Sequence, residues 1–158
     1  MKKNSKNKKG FSFIELMITI AIMGIMTTIT LVSMNKGREL WAVKTAAREV
    51  AATVRETQNN ALTGKDLKDQ TISCVFTFRW QADSSNYFME GCKTQSYVLK
   101  NGVTFGSPSG SINFEVPFSM LSGPTRTITV KKGVSAYNVC VYVSGAIKET
   151  ADTICPAS

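Results

Sequence analysis

Lys8-Lys9-Gly10-Phe11-Ser12-Phe13-Ile14-Glu15-Leu16 opens the decisive segment of this sequence, because it joins a basic start to a long apolar run. Residues 10–35 hold one charged side chain, Glu15, between Lys9 and Lys36, and that run of 26 residues exceeds the span needed to cross a bilayer, which is about 20 residues. The pattern predicts a transmembrane helix over residues 11–34. The lysines ahead of it place the N-terminus in the cytoplasm and the rest of the chain outside. The expected localisation is therefore single-pass in the inner (cytoplasmic) membrane, with the lipid bilayer as first partner. A cleavable secretory signal does not fit, since its apolar core covers only about 7–15 residues. A carboxylate so early in an apolar run costs about 2.5–3.5 kcal/mol near a helix centre and less near its end. Glu15 thus either reaches back to the aqueous side or has a cationic partner.

The formal charge of +8 invites a nucleic-acid reading, but five of the nineteen basic residues are Lys2, Lys3, Lys6, Lys8 and Lys9. Without residues 1–10, 14 basic residues stand against 11 acidic ones, so most of the excess belongs to the leader. The chain has no histidine, which removes the common catalytic triads and most zinc chemistry. Its four cysteines contain no C-x2-C spacing. Asp83, Glu90, Glu115 and Asp152 do not cluster in sequence, and Gly102, Gly106 and Gly110 suit turns better than a phosphate cradle. No enzyme, metal or cofactor is expected.

Beyond the apolar run, Leu40, Val43, Ala47, Val50, Val54 and Ala61 recur near helical spacing, with Lys44, Arg48, Arg55 and Glu56 on other faces. No proline occurs before Pro108, and Gly64 suits a helix terminator. One helix over about residues 11–62, on the order of 75 Å long, is predicted. Its first half (11–34) suits lipid, and its second (35–63) is amphipathic and needs a surface to cover it. Residues 64–158 then read as a β-rich domain on the periplasmic or extracellular side. Ile72, Cys74, Phe76, Phe78 and Trp80 alternate in the manner of a half-buried strand, and further strands are expected over 86–91, 95–100, 111–116, 126–131 and 137–143. Ser144-Gly145 suits a short turn before Ala146-Ile147. The fold class is α+β: a long N-terminal helix packed on an antiparallel sheet. Trp80 continues the apolar stripe into the core, while Trp41 suits either an interfacial anchor or a place under the sheet.

All four cysteines follow the apolar run, and an even number in an exported domain suggests two disulfides. If Ala82-Asp83-Ser84 turns the first hairpin, Cys74 and Cys92 lie equally far from Asp83 and can bridge. Cys140 with Cys155 would pin the C-terminal tail. Three pairings remain open for four cysteines.

The segment from Lys8 to Leu16 resembles the class III signal of the type IV pilin-like family: a short basic leader, glycine at the cut site, an apolar residue after it, and glutamate four residues further on. The resemblance implies the type IV pilin fold, removal of residues 1–10 by a prepilin peptidase cutting between Gly10 and Phe11, and N-methylation of Phe11. It implies that Glu15 engages the N-terminal amine of a neighbouring subunit, a pairing that offsets the burial of both charges and sets register. Ser12 and Phe13 replace the family's commoner threonine and leucine. Val32 stands where many major pilins have a kinking proline, which favours a minor subunit. Residues 46–62, Ile112-Asn113-Phe114, 126–130 and 139–147 resemble GspH/FimT-like minor pilins and type II secretion pseudopilins. The implied function is a structural subunit of a type IV pilus or pseudopilus, lifted into the filament by an assembly platform and its ATPase. The alternative is a FimT-like subunit that binds DNA for natural transformation, with Arg126, Lys131, Lys132 and Lys148 as candidate contacts.

Overall fold

The computed structural model describes residues 10–64, 74–115, 121, 123–152 and 154–156, the side chains of 29–35 excepted. The chain divides into two units, residues 1–37 and 38–158. Helix α1, Phe13–Thr63, contributes to both.

In the first unit the carbonyl of Ser12 accepts from the backbone N–H groups of Glu15 (3.0 Å) and Leu16 (3.2 Å). Ser12 is therefore the N-cap and Glu15 the N3 residue of α1, the positions of a Ser-x-x-Glu capping box. The turns that follow are apolar on every side. Phe13, Ile14, Met17, Ile20, Met23, Ile25 and Met26 are all exposed. Thr19, Thr27 and Thr28 return their hydroxyls to carbonyls of the preceding turn, at 2.8, 2.6 and 2.9 Å.

The expected membrane half of this helix needs correcting. Among the described residues no helix is long and apolar enough to cross a membrane. Glu15, Thr19, Thr27 and Thr28 interrupt the apolar turns of this part of α1. The inner-membrane, single-pass localisation and the bilayer as partner fall with it. The leader lysines and the start of the first expected strand, at Ile72, lie outside the described residues.

In the second unit α1 presents Val43, Ala46, Ala47, Val50, Val54, Thr57 and Ala61, all buried, at the three- and four-residue steps that keep one helix face inward. The alanines let backbone come close, while the valines fill the space between. Gly64, at φ 59°, closes the helix in the left-handed conformation that glycine adopts without strain.

Among the described residues eight strands follow: β1 Phe76–Trp80, β2 Asn86–Glu90, β3 Gln95–Val98, β4 Thr104–Phe105, β5 Gly110–Phe114, β6 Arg126–Lys132, β7 Ser135–Val141 and β8 Ile147–Thr150. They form two four-stranded antiparallel sheets where one sheet was expected, with orders β3-β2-β1-β5 and β4-β6-β7-β8. Strand β4 has only two residues, too few for an alternating pattern to reveal it. Phe76, Phe78, Trp80, Tyr87, Ile112 and Phe114 of the first sheet share one core with Phe105, Ile128, Val130, Val139 and Val141 of the second and with the helix stripe. Gly110 is required by packing: a Cβ there would meet the Trp80 ring at 2.8 Å.

Polar contacts tie α1 to strand ends inside this unit. Arg55 donates to the Ile147 carbonyl (3.1 Å) and pairs with Glu149 (3.4 Å), and Gln58 donates to the Gly145 carbonyl (3.0 Å). The Tyr87 hydroxyl donates to the Glu49 carboxylate at 3.1 Å. Disulfides join Cys74 to Cys92, beyond the open end of the β1–β2 pair, and Cys140 to Cys155. The second holds the tail across β7, where Asn138 donates to the Asp152 carbonyl (2.6 Å) and the Tyr142 hydroxyl to the Pro156 carbonyl (2.8 Å).

Two consequences can be measured. Replacing Cys140 and Cys155 together by serine opens a loop with a sequence separation of 15, and should cost about 3 kcal/mol in a urea titration. Burial, reinforced by the Glu49 charge, pushes the Tyr87 phenol up to about 12 from its ordinary 10.0, while a hydrogen bond with Thr53 pulls the other way. Because the folded value is the higher one, this stabilising contribution is intact below pH 10 and is lost as pH rises towards 12. The Tyr87→Phe variant should therefore show a flatter loss of unfolding free energy over that interval.

Candidate functional site

The peptide bond between Gly10 and Phe11 lies just ahead of α1, outside regular structure. Both residues are exposed, Phe11 at 84%. A Cβ built on Gly10 meets nothing within 4 Å, and its φ is not in the left-handed region. Neither packing nor backbone conformation in this chain requires glycine at position 10.

Glu15 is exposed in the first turn of α1. Its carboxylate stands at the positive end of the helix dipole, a favourable place for an anion, and at the N3 position of the capping pattern. Sequence reasoning looked for a cation beside Glu15 and passed over Ser12, although Ser-x-x-Glu is legible as a helix start. Phe11 and Glu15 are four residues apart, and exposed apolar side chains surround both. This end of the chain therefore presents one carboxylate among exposed apolar side chains.

The candidate DNA contacts are not brought together. Arg126 begins β6 and Lys131 and Lys132 end it. Arg126 and Lys131 are five strand positions apart, about 17 Å. Lys148 stands opposite Cys140, which stands opposite Thr127, at the Arg126 end. Lys131 pairs with Asp83 at 2.7 Å, Lys132 donates to the Asn101 carbonyl at 2.6 Å, and the Lys148 ammonium lies 5.6 Å from the Tyr142 ring centroid. Three of the four are thus engaged within the domain. The other acidic residues are dispersed too: Glu90 pairs with Arg79, and Asp152 accepts from the Thr150 hydroxyl at 2.6 Å. Trp80 is buried with its indole N–H on the Pro108 carbonyl at 2.8 Å, whereas Trp41 is exposed beside Lys44.

A family model described as the prokaryotic N-terminal methylation motif matches residues 5–31. The match takes in the end of the leader, the Gly10–Phe11 junction, Glu15 and the apolar turns of α1, and it stops before the amphipathic half. No curated protein and no solved structure matches the chain. The chain thus carries a short N-terminal methylation motif typical of prepilin-like proteins, without a match over a full pilin domain, and this motif makes it a candidate for processing by a prepilin-peptidase-like system.

Proposed function

We propose that this chain is a structural subunit of the minor-pilin type, GspH/FimT-like, that is cut between Gly10 and Phe11, methylated on the new Phe11 amine and assembled through α1 into a pilus or pseudopilus. The observation that carries the reading is the match of the methylation motif over an exposed Gly10–Phe11 junction just ahead of α1. The exposed apolar turns from Phe13 to Met26 supply the surface for assembly. Packing the same turns of other copies around them removes that surface from water, at about 25 cal/mol per Å².

Register needs more than apolar area, which is non-directional. The Phe11 amine and the Glu15 carboxylate provide it. Either charge alone is costly within an apolar bundle, and together they offset much of that cost, so the bundle is favoured in the one alignment where amine meets carboxylate. The role is structural, and the partners it calls for are a prepilin peptidase, other pilin-type subunits, and an assembly platform with its ATPase.

Two substitutions test the steps separately. Gly10→Ala should leave the leader attached, so that N-terminal mass spectrometry finds the unprocessed start in place of methylated Phe11. Glu15→Gln keeps the residue type that a capping box accepts and removes only the charge. It should be cleaved and methylated normally yet reduce sedimentable filaments about tenfold or more, corresponding to about 1.4 kcal/mol per tenfold step. Wild-type filament yield from Glu15→Gln would show that charge pairing does not set the register.

A further inference from the structure

The outward face of the first sheet carries an arrangement that assembly through α1 does not use. Arg79 of β1 stands directly opposite Phe88 of β2, and its guanidinium carbon lies 4.9 Å from the Phe88 ring centroid. The same guanidinium pairs with Glu90, two residues along β2. Stack and ion pair together hold the planar group in one orientation. On its other side Arg79 faces Ser111 of β5, and Phe88 faces Ser96 of β3, so small side chains border the pair.

Beside this pair an open cleft of about 470 Å³ is lined by Arg79, Gln81, Phe88, Ser109 and Ser111, with Gly110 lying against Trp80. That volume falls within the range of small-ligand sites, about 300–1,000 Å³. The Ser109 hydroxyl accepts from the Ala82 N–H at 2.8 Å, which leaves its own proton to donate outward. A larger residue at Gly110 would displace the Trp80 ring.

We propose that this cleft binds an uncharged carbohydrate, with the C–H face of a sugar ring against Phe88 and its hydroxyls on Arg79, Gln81, Ser109 and Ser111. Three features select this class. The Arg79 charge is already balanced by Glu90, so an anion gains little. A nucleic-acid strand needs several cations for successive phosphates, and the cleft lining supplies one. A wholly apolar ligand would cover the Ser109, Ser111 and Gln81 polar groups without partners, a desolvation cost of the unfavourable kind. A sugar ring presents an apolar face and a hydroxyl rim at once, and its hydroxyls both donate and accept, as the lining requires. The cross-strand trio of Arg79, Phe88 and Glu90 also steadies the β1–β2 pair, but that role requires neither the hydroxyl-lined wall nor the opening.

The test uses the full chain and three uncharged probes, maltohexaose, cellohexaose and N-acetylchitohexaose, titrated calorimetrically. At least one should bind, with affinity unchanged between low and high salt, as expected where no net charge is neutralised. Phe88→Ala should weaken binding about tenfold or more. Ser111→Tyr, which obstructs the cleft from an exposed strand position that tolerates aromatics, should do the same while the melting temperature stays at the wild-type value. The proposal is overturned if none of the three probes binds, if both variants bind as wild type, or if added salt abolishes the binding and thereby reveals an anion site.

Discussion

One helical stripe holds the β domain together. Val43, Ala46, Ala47, Val50, Val54 and Ala61 give both four-stranded sheets an apolar surface to cover. An antiparallel sheet has one face that tolerates water and one that does not. Phe78 and Tyr87 on one sheet, and Ile128 and Val139 on the other, are fully buried because they join the helix in a single cluster. Contacts such as Arg55 to Ile147 and Tyr87 to Glu49 then fix the orientation that non-directional packing leaves free.

The same helix obeys a different rule before Gly37. Over residues 13–28 exposed apolar side chains occupy every face of the described turns. A helix of that kind is expected to be surrounded. Among the described residues no helix is long and apolar enough to cross a membrane, and the start of α1 offers instead a carboxylate, a serine cap and an exposed junction. The arrangement suits burial against helices of its own kind.

Much of this was legible in the chain before any coordinates. The three- and four-residue spacing from Val43 to Ala61 marked the inward face, Gly64 marked the helix end, and the alternation of Phe76, Phe78 and Trp80 marked the first strand, because each signal is local and periodic. The division into two sheets was not legible. It depends on which strands pair, and pairing is a long-range choice that leaves no period in the sequence. Thr104–Phe105 was too short to announce itself. The cleft beside Arg79 and Phe88 was hidden for a related reason: its walls come from β1, β2 and the start of β5 with the residue before it, brought together only by register.

The order of the strands has a further consequence. After three strands of the first sheet the chain lays β4 into the second, returns to finish the first with β5, and only then completes the second. Neither sheet is a continuous piece of polypeptide. No cut in the sequence separates them, and an insertion between Phe105 and Gly110 strains both. The domain is woven and not stacked, so recombination with a relative can exchange it whole but cannot exchange either half.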